Sequence, residues 1–366
     1  MKVPYVNLGK DVEPIRGQLS DKFNEIIKSG YYILGPEVST FEERFAKICG
    51  SKSAIGVSNG TSALYLLLKA IGVGPGDEVI TAPNSFIASA SVVAMTGATP
   101  VFADIGDNLN ISPEEVRKKI TKKTKVIMPV HLTGRPYDFE AINEIAKSQD
   151  IFVLEDAAQA YGASKAGKKV GGMGHAAGFS LHPLKNLHAF GDAGIITLNG
   201  LDDLDERIRR ARNLGFVDRD HCQFPSGNDR LDEMQAGLLN IYLDNMDHFQ
   251  GERSRKAKVY IEELGDLVIT PNPADDETCV FQTFVLQVEK RDELLAYLRE
   301  SGVDAKIHYP VTIIEQEAFK NCDKPLADYP CLHRKVNKVI SLPLYPSLEG
   351  WQQELVINSV RSFYAR

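Results

Sequence analysis

The sequence predicts an α/β protein built on a mostly parallel sheet, followed by a smaller α+β domain. Three observations predict it. Short apolar, β-branched runs alternate with amphipathic stretches through the first two-thirds of the 366 residues. Helix starts and stops are marked by capping side chains and glycines. After Gly200 the pattern changes to charged helices and isolated strands.

In chain order, strands are expected at residues 53–57, 78–81, 99–103, 125–130, 151–155, 177–181 and 194–198. Each is short and apolar, as strands covered on both faces are. Between them, residues 61–71 read as a helix ended by Gly72, and 86–95 as one ended by Gly97. Ser112 and Pro113 open a third helix with a cap and a first-turn proline, and Asp138 caps a fourth. Strand–helix alternation of this kind winds into a parallel sheet with helices on both faces. Beyond it, 201–214 is an arginine-rich helix and 231–264 a long helix with a break expected near 249–251. A strand at 281–288, a helix at 292–301, a strand near 305–308 and a last helix from Gly350 complete the chain. The domain boundary is set inside the long helix, giving domains 1–245 and 246–366.

Bulk properties narrow the function. Apolar residues make up 43% and charged residues 25%, with a net charge of −7 and no long run of one sign. No basic stripe suits nucleic acid. No apolar run is long enough for a membrane span, and the N-terminus lacks the pattern of a signal peptide. Cys49, Cys222, Cys279, Cys322 and Cys331 are odd in number and not spaced as metal ligands. A cytoplasmic protein without metal or disulfides is expected.

Three segments carry chemistry. Ser58-Asn59-Gly60-Thr61-Ser62 follows a strand and opens a helix, a place where N–H groups and the helix dipole attract a phosphate. An ordinary capped helix would read the same way. Glu155-Asp156-Ala157-Ala158-Gln159 delivers a carboxylate at a strand's C-terminal end, where open α/β sheets bind ligands. Taken alone, Asp156 reads as readily as a helix cap. Ser180-Leu181-His182-Pro183-Leu184-Lys185 runs a strand into a proline turn and presents a lysine between apolar neighbours. Such an amine can condense with an aldehyde and then shuttle a proton, although most lysines are solvated.

Taken together and in this order, the segments resemble fold-type I pyridoxal-phosphate enzymes, and in detail the DegT/StrS family of sugar aminotransferases. The likeness extends to the stretches at 29–38, 129–134 and 228–236. It implies an aspartate aminotransferase-like fold with a seven-stranded large-domain sheet. It also implies a pyridoxal 5′-phosphate cofactor, L-glutamate as donor, a nucleotide-linked keto-sugar as acceptor, and a homodimer with shared active sites. Lys185 resembles the Schiff-base lysine and Asp156 the partner of the pyridine nitrogen. Gln159 resembles the residue at the ring hydroxyl, and Phe86 the aromatic stacked on the ring. Gly60, Thr61 and Ser180 match the phosphate binders, and Asn228 matches an asparagine reaching the phosphate from the other subunit. Tyr31, Tyr32, His308 and Tyr309 are weaker candidates for the substrate pocket. His182 and His188 flank the lysine and are read as turn residues, not as a proton relay. Two stretches depart from the family pattern: Ser226-Gly227 ahead of Asn228, and Val311-Thr312-Ile313-Ile314 after Pro310. A sugar dehydratase of the same fold carries histidine at the lysine position, so Lys185 favours transamination. A cyclitol ketone or a free sugar remains an alternative acceptor, and a non-catalytic regulatory protein is the rival of a different class.

Overall fold

The structure is a computed structural model that describes residues 2–320 and 325–365; Cys322 lies outside them. All seven expected strands are present: β1 (Ser53–Val57), β2 (Glu78–Thr81), β3 (Thr99–Phe102), β4 (Thr124–Ile127) and β5 (Phe152–Asp156) come first. After a small hairpin of β6 (Ser164–Lys165) and β7 (Lys168–Lys169) follow β8 (Ala176–Ser180) and β9 (Gly194–Leu198). They form one sheet in the order β1-β9-β8-β5-β4-β2-β3. β9 is antiparallel to both its neighbours, while the pairs β8–β5, β5–β4, β4–β2 and β2–β3 are parallel. β1, β5 and β8 therefore point the same way, and their C-terminal ends share one edge of the sheet. That edge is where loops can gather a site.

The helix signals held. Ser112 and Asp138 accept the backbone N–H groups of Glu115 and Ala141, and Gly72 ends Gly60–Ile71 with a left-handed φ of 82°. Two long helices, Arg16–Ser29 and Pro36–Cys49, and one short one, Leu8–Asp11, precede β1. The second long helix is capped from far along the chain. The buried Glu233 carboxylate accepts the N–H groups of Gly35 at 2.9 Å, Glu37 at 2.6 Å and Val38 at 3.2 Å. A Cβ on Gly35 would sit 2.6 Å from that carboxylate, so the position needs glycine. A carboxylate at a helix N-terminus is stabilised by the unpaired donors and the dipole.

The long helix differs from expectation. Glu233–Leu264 runs unbroken through Gly251. One exposed helical glycine costs about 1 kcal/mol, and burial on both sides outweighs it. Leu239, Tyr242 and Phe249 pack in the core beneath the sheet, while Ala257, Tyr260 and Leu264 pack in a second core near the C-terminus. That second core holds a two-stranded antiparallel sheet of β11 (Phe284–Gln287) and β12 (Val339–Leu342), with β10 (Glu277–Thr278) added to the β6–β7 hairpin. β12 was not expected, and the strand expected near 305–308 reduces to one bridge between Lys306 and Ser341.

Candidate active site

Asp156 closes β5 and is 4% exposed. No helix follows it, so the helix-cap reading fails. One carboxylate oxygen accepts the Ser89 hydroxyl at 2.6 Å and the other the Ala158 N–H at 3.2 Å. Ser85 lies 2.7 Å behind Ser89, so the serine proton has a fixed direction. Burial pushes the Asp156 pKa up from the ordinary value, against the Ser89 and Ala158 hydrogen bonds and the charges of Lys185 and His131. Ser89 was missed in the sequence. Its only signal there is its position four residues after Ser85, one helical turn, which many serine pairs share.

Lys185 stands in the loop after β8, its N–H donating to the His182 carbonyl at 2.8 Å. Desolvation brings its amine down to a pKa of about 8, and the Asp156 charge pulls in the opposite direction. The two groups thus face one another electrostatically across one site. A lysine tuned toward neutrality can serve as nucleophile and base near physiological pH.

Gln159 stands two hydrogen bonds deep. Its carbonyl accepts the Thr133 N–H at 2.5 Å, and its amide donates to the Tyr309 hydroxyl at 3.1 Å. One of its two amide hydrogens is left for a ligand. Thr133 carries a φ of 60°, a strained value for a β-branched residue, in the turn that aims this N–H at Gln159. Tyr309 is held protonated, its pKa pushed up to about 12 by burial and the Asp156 charge. Its ring lies 5.8 Å from that of Phe86, which is 54% exposed. His308 bonds Ser341 at 2.8 Å, and burial with the nearby Lys185 and Lys306 charges lowers its pKa to about 4. It is neutral at physiological pH.

The phosphate segment meets Ser180 directly. A Cβ on Gly60 would fall 2.7 Å from Ser180 Cβ, and one on Gly194 would fall 2.4 Å from the Asn59 carbonyl. Glycine at both positions lets the helix N-terminus close on the end of β8. Asn59 caps that helix through the Ser62 N–H, so the capped-helix and phosphate-cup readings coexist. Thr61 occupies the first turn of the same helix. Ser62 and Ser58 both bond Asp229, which fixes the neighbouring residue Asn228 beside this end of the sheet. Asn228 itself is exposed.

The structure thus brings together Lys185, Asp156, Gln159, Ser180, Gly60, Thr61, His308 and Tyr309. Tyr31 and Tyr32 are 64% and 50% exposed, on the segment that pairs Ile33 with Asp232. His182 is exposed and bonds only locally, while His188 is buried under the lysine loop.

The profile of the DegT/DnrJ/EryC1/StrS aminotransferase family matches residues 14–361. The chain belongs to this family. It is an aminotransferase. Among its relatives, a "pleiotropic regulatory protein" of Geobacillus stearothermophilus is 39% identical, with 100% of this chain and 99% of the relative covered. The dTDP-3-amino-3,4,6-trideoxy-alpha-D-glucose transaminase of Streptomyces venezuelae is 38% identical over 100% of this chain and 97% of its own. The dTDP-3-amino-3,6-dideoxy-alpha-D-galactopyranose transaminase of Aneurinibacillus thermoaerophilus is 39% identical over 99% of each. The solved structure of DesV from S. venezuelae superposes with a TM-score of 0.96 at 38% identity, over 100% of this chain and 99% of that one. Among the described residues no helix is long and apolar enough to cross a membrane, and no cluster of His, Cys, Asp or Glu could hold a metal.

Proposed function

We propose that this aminotransferase uses pyridoxal 5′-phosphate to move an amino group from L-glutamate to the C3 ketone of a nucleotide-linked sugar. The observation that carries the reading is the Lys185 amine, desolvated and facing a buried carboxylate at the sheet's ligand edge. The site fits the cofactor. Lys185 would meet its aldehyde carbon, Asp156 its ring nitrogen and Gln159 its ring hydroxyl. Phe86 would cover a ring face, and Gly60, Thr61 and Ser180 would hold its phosphate. When bound, the cofactor supplies an aldehyde that takes up the amino group and a ring that accepts electrons from the donor's α-carbon. Asp156, oriented by Ser89, keeps a proton on the ring nitrogen. Lys185 moves a proton between the donor's α-carbon and the aldehyde carbon, then runs the same transfer in reverse on the sugar. Tyr309, protonated and bonded to Gln159, keeps the ring-hydroxyl side closed.

Support for carbon 3 comes from two relatives whose names carry a 3-amino sugar. A purely regulatory role is disfavoured because Lys185, Asp156 and Gln159 are all present, with Asp156 held by Ser89 and Gln159 by Thr133 and Tyr309. The exposed Tyr31, Tyr32, Phe86 and Asn228 favour a homodimer in which each subunit's Asn228 reaches the other's phosphate. His308 and Tyr309 would then meet the sugar. Residues 1–245 and 246–366 serve as the two domains, joined through the long helix. The cytoplasm is the expected compartment, consistent with free thiols at the four described cysteines.

The test is a panel of nucleotide keto-sugars offered with L-glutamate, reading 2-oxoglutarate. Turnover of a 3-keto substrate is expected; preference for a 4-keto sugar or for a cyclitol ketone would overturn the acceptor assignment. Borohydride treatment of the cofactor-loaded chain should fix the cofactor to the peptide bearing Lys185.

A further inference from the structure

The lysine loop is fastened to one face of the long helix. Phe190 N–H donates to the Gln235 side chain at 2.9 Å, and Asn186 donates to Gln250 at 3.1 Å. Between these two, Tyr242 lies 2.8 Å from His188 Nε2, while His188 Nδ1 lies 3.0 Å from the Lys185 carbonyl oxygen. Gln235, Tyr242 and Gln250 recur at about two-turn spacing, which places them on one helix face. The roles on the imidazole are fixed by its partners. A carbonyl only accepts, so Nδ1 carries the hydrogen, and Nε2 accepts the phenol proton. His188 is 8% and Tyr242 2% exposed, and burial lowers the imidazole pKa to about 4. A neutral imidazole with both nitrogens engaged cannot relay protons for the lysine.

We propose that His188, braced by Tyr242, is a positioning residue for Lys185: it holds the lysine's own carbonyl and so keeps the amine in its desolvated place against Asp156. The helix supplies the rigid backing, since Tyr242 is packed in the core beneath the sheet. The inference rests on the lysine role proposed above, but its test needs neither cofactor nor substrate. Asp156 from β5 acts electrostatically on the amine, and the amine in turn acts on His308 from beyond the long helix; both are left intact.

The experiment measures amine-selective acetylation of Lys185 in the cofactor-free chain against pH, read by peptide mass spectrometry. Wild type should show a midpoint near 8. His188→Ala should raise it by about one unit or more, toward the solvated lysine value. His188→Asn restores a donor for the Lys185 carbonyl and should bring the midpoint most of the way back. Tyr242→Phe should give a smaller rise. In the loaded enzyme, His188→Ala should slow the glutamate half-reaction about ten- to a hundred-fold, with a larger isotope effect from α-deuterated glutamate. His188→Asn should stay within a few-fold of wild type. An unchanged midpoint in a folded His188→Ala, or no rescue by His188→Asn, overturns the proposal. If His188→Ala does not fold, a wild-type midpoint in Tyr242→Phe overturns it instead. A predicted labelling shift in a chain that binds no pyridoxal phosphate would overturn the proposed function and leave this inference standing.

Discussion

Lys185 and Asn228 stand beside the same end of the sheet, yet the chain treats them differently. Around Lys185 the protein is finished: Asp156, Ser89, Gln159, Tyr309, His188 and Tyr242 engage one another, and most are buried. Asn228, Phe86, Tyr31 and Tyr32 are exposed, with large aromatic surface toward solvent. One group is held in place by its own chain. The other is displayed, and in the proposed dimer it would meet groups from the second subunit. Preorganised residues should therefore govern rate, and displayed residues should govern affinity and assembly.

The largest expected effect lies in the first region. Lys185→Ala deletes the proposed nucleophile and proton carrier together, and turnover should fall at least about 10⁴-fold. The fold should persist, because the loop's other ties remain; circular dichroism and 2-oxoglutarate release check the two halves of the statement. Substantial turnover in that variant would move the chemistry to His182, the exposed neighbour.

Asp156→Asn comes next. Asparagine keeps the shape and loses the charge, so cofactor binding should survive while turnover drops about 10²- to 10³-fold. The same change has a second readout. The Asp156 charge raises the Lys185 pKa against desolvation. Removing it should move the Lys185 labelling midpoint below 8 in the cofactor-free chain. A rise would mean that solvent entry, not charge loss, dominates the variant.

The third prediction breaks the comparison across two chains. Asn228→Ala subunits, weakened in cofactor affinity, are mixed with inactive Lys185→Ala subunits and assayed at limiting cofactor. If the displayed residue serves a neighbour, one site in each mixed dimer contains both intact groups and activity returns. If both parents dimerise and the mixture stays dead, Asn228 serves its own chain.

The smallest effect belongs to Phe86. An aromatic stacking contact is worth about 0.5–1.5 kcal/mol, so Phe86→Leu should weaken cofactor affinity about 2- to 10-fold. The maximal rate should barely move. A large loss of rate at saturating cofactor would place Phe86 with the preorganised group instead.

Much of this was legible before any coordinates. Seven strands were readable because a sheet covered on both faces demands short, apolar runs, and its helices announce their ends through Ser112, Asp138 and Gly72. Asp156, Lys185 and Gly60 were readable because each lies at or just beyond the C-terminal end of a strand, so sequence order already places them at one edge. The break expected in the long helix was an error of weight. Gly251 is a local signal, and local signals lose to the two hydrophobic cores that grip the helix on either side. β12, no shorter than β2, was missed because it lies outside the strand–helix alternation that marks the strands of the large sheet.

The sequence by itself determined the sheet, the order of its strands' chemistry and the residues brought to its edge, since these follow from periodicity and adjacency along the chain. Only the tertiary structure decided what each group is bonded to. Ser89 reaches Asp156 from 67 residues away, Tyr242 reaches His188 from 54 and Tyr309 reaches Gln159 from 150. Hydrogen bonds and desolvation depend on distance in space. A serine, a tyrosine and a histidine carry no mark in sequence of which buried partner they will meet.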